Sequence, residues 1–336
     1  MGQRIGFVST RFAGTDGVTL EASKWATVLK DLGHDFFWFA GLLDRKPEWS
    51  TLVPEAFFDH PQNRAINALV FGHKKRDPAT TDTIHQLKDL LKKKLREFIN
   101  DFKIDLLISE NALTIPMHLP LGLALTEIIA ETQIPTIAHH HDFYWERTRF
   151  SVNAVGDYLR MAFPPNLEAI AHVVINSAAQ EELALRTGVT SLIIPNVVDF
   201  DNPPKIDKRR KAAFRQSIGL MPGEVMILQP TRIIQRKGIE HAVQLVEDLA
   251  DPRYKLVVSH EAGDEGFEYA EWLKEDAKAR GVDLRLVDIS ISDPMNPGVY
   301  NHEQYSLWDF YPRAGVIAYP SLSGGLGIGF FVGVDV

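Results

Sequence analysis

The sequence predicts an α/β protein of two Rossmann-like domains in tandem, facing each other across a cleft, with the second domain incomplete. Three observations predict it. Strand and helix patterns alternate along nearly the whole chain, as parallel sheets with crossover helices require. A polar stretch with two prolines, residues 201–211 (DNPPKIDKRRK), interrupts the pattern, which then restarts. Apolar strands run into glycine-bearing turns near both ends, at residues 11–17 (RFAGTDG) and 319–330 (YPSLSGGLGIGF). The expected boundaries are a first domain over residues 1–200, a linker over 201–211 and a second domain over 212–336. The chain stops where the helix after the last glycine turn should form, so the second domain is expected to be truncated.

The elements follow in order. Residues 4–10 (RIGFVST) form a buried first strand. Residues 18–32 form a helix whose apolar set is Leu20, Trp25, Val28, Leu29 and Leu32, with Gly33 beyond its end. Residues 35–41 form a second strand. Residues 42–78 carry several prolines and histidines and admit one strand at most, near 56–58. Residues 84–102 form a long amphipathic helix with Leu87, Leu90, Leu91, Leu95, Phe98 and Phe102 on one face. Lys88, Lys92, Lys93, Lys94 and Arg96 lie mainly around the other. Further strands are expected at 104–109, 135–139, 172–176 and 191–195, with helices between them, including 178–187. After the linker come a helix (209–218), a strand (225–229), a helix (239–249), a strand (255–259), a helix (267–280), a strand (283–287), a short helix (303–311) and a strand (316–319).

Composition narrows the function. Hydrophobic residues make up 45% and charged residues 24%, as in soluble globular proteins. A net charge of −8 argues against a general nucleic-acid binder. The absence of cysteine excludes a disulfide framework, a thiolate nucleophile and thiolate metal ligands. The N-terminal MGQRIGFVST has no signal-peptide apolar core, and the apolar stretch 119–130 is too short to span a bilayer and contains Glu127. The chain reads as cytoplasmic.

Residues 230–238 read PTRIIQRKG between a strand and a helix. Arg232 and Lys237 flank the turn, so two fixed cations near a helix N-terminus can meet the charge of a departing pyrophosphate. The same pattern also fits a solvated basic turn. In residues 137–142 (IAHHHD), strand alternation puts His139 and His141 on one side and His140 on the other. One face can enter a cleft while the other packs, and His140 reads as a core residue. His139, His141 and Asp142 are all possible zinc ligands, but neighbouring positions on one strand rarely close a tetrahedron, so no metal is expected. Asp199-Phe200-Asp201 is a D-x-D at the linker and reads as a polar turn. The basic face of the 84–102 helix reads as solvated surface, with weak membrane-surface contact as its functional alternative.

Taken in order, the first glycine loop, HHHD, IPNVVD, TRIIQRKG and YPSLSGGLGIGF resemble the retaining GT-B glycosyltransferases of family 4, the group 1 type. The resemblance runs from Arg4 to the last residue. It implies an N-terminal acceptor domain and a C-terminal domain for a nucleotide-diphosphate sugar, the donor substrate, with no cofactor or metal required. It implies that Arg232 and Lys237 grip the donor diphosphate. Gly325, Leu326 and Gly327 cradle it through their backbone. His141 is the histidine beside the reacting sugar, with Asp142 next to it on the acceptor side. Gly14, Asp16 and Gly17 form the loop that approaches phosphate and acceptor. Asn196 and Asp199 match a turn before the linker, where Val197 replaces a glycine. The acceptor is a hydroxyl of a small molecule, glycan or lipid, and nucleic acid is not a partner. Retention is expected by front-face attack, in which a leaving-phosphate oxygen takes the acceptor proton. The family also carries two glutamates after the last strand. Their positions here are Gly324 and Val332, so a poor or inactive catalyst that still binds nucleotide is the first alternative. A sugar-nucleotide epimerase of the same fold is the second.

Other classes fit less well. A dinucleotide-binding dehydrogenase would need G-x-G-x-x-G, whereas the first loop has only Gly14 and Gly17, and no acidic residue ends the second strand. No G-x-x-x-x-G-K-[ST] occurs, which removes a P-loop NTPase. Residues near 288–300 should face the nucleobase, but their sequence does not specify it.

Overall fold

The computed structural model describes residues 2–14, 17–196, 211–259, 267–287 and 307–321. The chain divides into two compact units, Met1–Asn196 and Val197–Val336. The linker expected at 201–211 lies, apart from its last residue, outside the described residues.

The first unit runs β1 (Arg4–Val8), α1 (Gly17–Asp31), β2 (Asp35–Ala40), β3 (Ser50–Leu52), α2 (Pro61–Val70), α3 (Pro78–Asp101), β4 (Leu106–Glu110), α4 (Leu119–Thr132), β5 (Thr136–His140), α5 (Gly156–Ala162), β6 (Ile170–Val174), α6 (Ser177–Thr187) and β7 (Ser191–Ile193). Its strands form one sheet in the order β3-β2-β1-β4-β5-β6-β7, and every pairing is parallel. Parallel strands buried on both faces read as apolar runs, which is why RIGFV, DFFWFA and LLISE were legible. On one side pack Leu87, Leu91, Leu95 and Phe98 of α3 with the almost wholly buried α4. On the other, Phe7, Phe12 and Trp38 pack with α1.

Three expectations need correction. The third strand lies at Ser50–Leu52 rather than 56–58, where Pro54–Ala56 instead forms a 3₁₀ turn. The segment also holds α2, which starts on Pro61 and buries Asn63, Ile66 and Val70. The inward face of α1 is Thr19, Glu21, Ala22 and Ala26, with Val28 and Leu32 exposed. Of the expected set, Trp25 and Leu29 do pack, partly buried, against the same core, so the apolar count held for those two and failed for Val28 and Leu32. On α3, Leu90 is likewise exposed.

The basic face of α3 is not a free charged surface. Lys88 and Lys92 each place Nζ 2.7 Å from a carboxylate oxygen of Glu127 on α4. Lys92 and Arg96 also pair with Glu131, and Lys94 pairs with Glu97 at 2.7 Å. The helix pair spends these cations on itself, which removes most of the charge that membrane contact would use.

The second unit runs α7 (Lys211–Ser217), β8 (Val225–Gln229), α8 (Ile239–Leu249), β9 (Tyr254–Val258), α9 (Phe267–Ala279), β10 (Leu284–Leu286), α10 (Leu307–Phe310) and β11 (Val316–Ile317). Its parallel sheet has the order β10-β9-β8-β11 among the described residues. One core lies under α8 and α9, and another joins Phe214, Phe310 and Tyr311.

In both sheets the strand order reverses once, between β1 and β4 and between β8 and β11. Connections leave such a pair in opposite directions, so the C-terminal edge there is left open for a ligand.

His118 yields a test of the first unit. It caps α4, its Nδ1 accepting from Leu121 N at 3.2 Å, and its Nε2 lies 2.8 Å from the Glu55 carbonyl. Burial pushes its pKa down from 6.5 to about 4, against the opposing pull of the Glu55 carbonyl. The folded state therefore resists a proton that the unfolded chain takes up near 6.5. This stability is present above that value and is lost as pH falls toward 4. His118→Asn keeps a capping side chain but cannot titrate. Denaturant unfolding should show a flatter dependence between pH 7 and 4 for the variant than for wild type. Equal slopes would mean that His118 is not the group responsible.

Gly238 yields a test of the second. It opens α8 at φ +60°, and a Cβ there would sit 2.4 Å from the Pro320 carbonyl oxygen. Gly238→Ala should destabilise this unit by about 1–3 kcal/mol through backbone strain and overpacking. A melting temperature unchanged by the substitution would contradict the close approach.

Candidate functional site

In the first unit the site is built on the ends of β4 and β5, with the β1 loop across the switch point. Glu110 is the last residue of β4 and pairs in register with His139 of β5. Alternation along β5 then puts His139 and the following His141 on one side. His140 points the other way, fully buried, its Nε2 2.9 Å from His172 Nδ1 and its Nδ1 bonded to the Thr114 hydroxyl. Burial, followed by the neighbouring histidines, drives the His140 pKa well below its ordinary value, so it stays neutral. This is the packing role expected of it.

On the other side a carboxylate waits that the sequence reading missed. Glu110 Oε2 lies 3.1 Å from both His139 Nδ1 and His141 Nε2. Burial alone would raise the Glu110 pKa, but the two histidines outweigh it and hold it at about 2. The His141 pKa is raised: burial opposes this, and Glu110 prevails, helped by Asp142 and Glu21. The Trp25 ring stacks on His139 with centroids 4.5 Å apart.

The backbone of His141 is held as well. Its N–H donates to Asn111 Oδ1 at 2.9 Å, and Asn111 sits at φ +57° just past the end of β4. Asn196 Nδ2 lies 3.4 Å from His141 Nδ1. Asp142 accepts from Arg147 Nε at 2.8 Å and from Asn111 Nδ2 at 3.3 Å, so its charge is already engaged within the unit.

Gly14, in the loop after β1, sits at φ +75° with open space where a Cβ would be, and its N–H donates to Asp44 Oδ2 at 2.9 Å. Arg45 bonds Asp44 at 2.8 Å and the Ser23 hydroxyl of α1 at 2.8 Å, tying the loop to the helix that follows it. Gly17 begins α1. Asp16, between them, lies outside the described residues.

In the second unit the turn after β8 carries both expected cations. Arg232 is exposed and Lys237 half-buried, the latter ending a 3₁₀ turn, Gln235–Lys237, ahead of Gly238. Buried Gln229 at the end of β8 sets this turn, its Nε2 donating to the Lys237 carbonyl at 3.0 Å. The Gly238–Pro320 approach brings the segment leaving β11 against the same turn. The structure thus places Lys237, the residue before Gly238, beside the entry to the glycine-rich stretch, with Arg232 earlier in the same turn. Gly325, Leu326 and Gly327 themselves lie outside the described residues, as do Gly324, Val332, Asp199 and residues 288–300.

Glu110, His139 and His141 also bring their ligand atoms within 4.8 Å of one another. One carboxylate and two imidazoles are a donor set able to hold a divalent cation. The expectation of no metal considered only residues of one strand. The missing member stands on the neighbouring strand, and the reading ended that strand at Ser109, one residue short. Two polar residues, Glu110 and Asn111, directly after an apolar run were the available signal.

No family model matches the chain. Two curated proteins do, both mannosylglucosylglycerate synthases. That of Petrotoga mobilis is 30% identical, covering 96% of this chain and 78% of the relative. That of Thermotoga maritima is 30% identical over 96% and 76%. Among solved structures, sucrose-phosphate synthase from Thermosynechococcus elongatus superposes with a TM-score of 0.62 at 16% identity, covering 99% of this chain and 78% of that one. Anabaena HepE, solved with UDP-glucose, gives 0.57 at 11% identity over 96% and 75%. At such identities the solved structures establish the fold, and the curated relatives establish the family. With parallel α/β architecture in both units and 30% identity spanning nearly its whole length, the chain belongs to the glycosyltransferases of GT-B fold.

Proposed function

We propose that this protein transfers a mannosyl group from a nucleotide-diphosphate sugar to a hydroxyl of a glucosylglycerate-type acceptor, with retention of anomeric configuration, as a family 4 enzyme. The observation that carries this reading is the 30% identity to two mannosylglucosylglycerate synthases over 96% of the chain. Residues 1–200 take the acceptor and residues 212–336 the donor, joined by the linker 201–211.

Each set of residues has a part in the reaction. Arg232 and Lys237 hold the diphosphate, whose charge grows as the bond to the anomeric carbon breaks. Charge-assisted bonds to an oxyanion are about twice as strong as neutral ones, and their value rises as the charge develops. Backbone amides of 325–327 share that load. The acceptor oxygen bonds to the anomeric carbon on the face the diphosphate leaves, and its proton passes to a leaving phosphate oxygen. Positioning then matters more than a strong base. His141 lies beside the transferred sugar, and Gly14, with open space where a Cβ would be, leaves room for phosphate and acceptor.

A second reading is nucleotide-sugar binding with little transfer. It is favoured by one observation, the Gly and Val at positions 324 and 332, where the resemblance calls for glutamates.

The test is transfer from mannosyl nucleotides to glucosylglycerate, with product anomer assigned by NMR. Retained configuration is expected, an inverted product would overturn the mechanism, and donor binding without transfer would favour the second reading. Arg232→Ala and Lys237→Ala should each weaken nucleoside diphosphate binding about tenfold or more, since a charged hydrogen bond is worth roughly 1.5–3 kcal/mol. Unchanged affinity in both would remove them from the donor site. His141→Ala should lower turnover with nucleotide affinity retained, whereas His140→Ala should act mainly on stability. The reverse pattern would exchange their roles.

A further inference from the structure

We propose that Glu110 is a positioning residue for sugar transfer: by accepting N–H groups from both His139 and His141 it fixes the tautomer and ring orientation in which His141 works. The inference rests on the role given to His141 above.

The geometry carries it. A carboxylate is acceptor-only, so His139 Nδ1, bonded to Oε1 at 3.3 Å, and His141 Nε2, bonded to Oε2 at 3.1 Å, must both be donors. His139 is then protonated at Nδ1 and His141 at Nε2. In the neutral ring that leaves His141 Nδ1 as an acceptor, with the Asn196 amide 3.4 Å from it. A substrate hydroxyl that displaces this long Asn196 contact would donate to His141 Nδ1. The other end of the pair is equally constrained. Among the described residues His139 Nε2 is buried with no hydrogen-bond partner, and its ring is stacked against Trp25.

Two consecutive residues at the end of β4 grip His141. Glu110 holds its ring, and Asn111 Oδ1 holds its backbone N–H at 2.9 Å. Ser9 Oγ donates to the Glu110 carbonyl at 2.9 Å, linking the end of β1 to the same point. Among the described residues no lysine or arginine pairs with Glu110, so the histidines alone compensate its charge.

Glu110→Gln tests the idea. The amide keeps the size but offers one acceptor and one donor, so one histidine N–H loses its partner. Turnover, donor and acceptor KM, nucleotide affinity and metal content would be measured for wild type, Glu110→Gln, His141→Ala and the double variant. Selective ¹⁵N labelling of histidine, with no substrate present, would report the His141 tautomer in wild type and Glu110→Gln. The expected result is a kcat loss on the order of a hundredfold for Glu110→Gln, with nucleotide affinity retained. The double variant should lose no more than His141→Ala alone, because the two act as a unit. Wild-type His141 should carry its proton on Nε2 and lose that preference in Glu110→Gln. A full kcat in Glu110→Gln, losses that multiply in the double variant, or a wild-type His141 that carries a proton on Nδ1 would each overturn the proposal. So would one equivalent of bound divalent metal lost in Glu110→Gln, since Glu110 would then be a ligand. If wild type transfers no sugar from any nucleotide donor, the functional reading falls instead, and the tautomer measurement still decides the Glu110–His141 pairing. If Glu110→Gln does not fold, the wild-type tautomer alone decides.

Discussion

A parallel sheet sets a constraint that most of this molecule obeys. Every strand ends on the same edge, and every connection must return across a face to start the next strand. Where the strand order reverses, successive connections leave toward opposite faces, and the strand ends between them stay uncovered. The first unit has this reversal at β1/β4 and the second at β8/β11. The Gly14 loop and Glu110 stand at the first reversal, and the Arg232–Gly238 turn and Pro320 at the second. Each motif lies where the topology leaves room for a ligand, although the turns differ in sequence.

The chemistry of the first site depends on burial. Water would screen an exposed glutamate beside two histidines into near irrelevance. Glu110 is wholly buried, so its charge acts strongly on whatever touches it, and what touches it is His139 and His141. The same burial makes the neighbouring residues exacting. Asn111 takes a left-handed backbone that asparagine tolerates better than most residues, and uses its side chain to hold the next strand. His140 meets the low dielectric differently. With no carboxylate on its side of the strand it sheds its proton and hydrogen-bonds to His172 and Thr114. Three consecutive histidines thus fall into two electrical environments because a strand alternates.

The alternation of strands and helices was legible in the sequence because it rests on apolar runs and turn residues, which are local. β8 and α8 have the boundaries that periodicity gave, 225–229 and 239–249. What escaped depended on partners far along the chain. The sequence shows α3 as basic, and only its packing on α4 reveals that Glu127 and Glu131 occupy Lys88, Lys92 and Arg96. Ala22 and Ala26 are buried with Phe7, Phe12 and Trp38, residues of other elements that a count along one helix does not contain. The histidine pair could be seen, but Glu110 is 29 residues away from His139 and becomes its neighbour only through the β4–β5 register. The turn holding Arg232 and Lys237 could be read because both residues lie within one loop.

The two units reach a fixed geometry by different means. In the first, side chains hold side chains: an ionised carboxylate orients imidazoles, and an amide holds a backbone. Such a site is sensitive to isosteric changes that alter only donors and acceptors. In the second, backbone holds backbone. Gln229 reaches the Lys237 carbonyl, and Gly238 packs under the Pro320 carbonyl at a distance no Cβ allows. That turn has no room for added volume at Gly238. The difference suits the two tasks assigned to them. A diphosphate is bound through charge and backbone N–H groups, whose placement depends on the turn, whereas a sugar ring is selected by individual hydroxyls, whose recognition depends on which nitrogen of a histidine carries the proton.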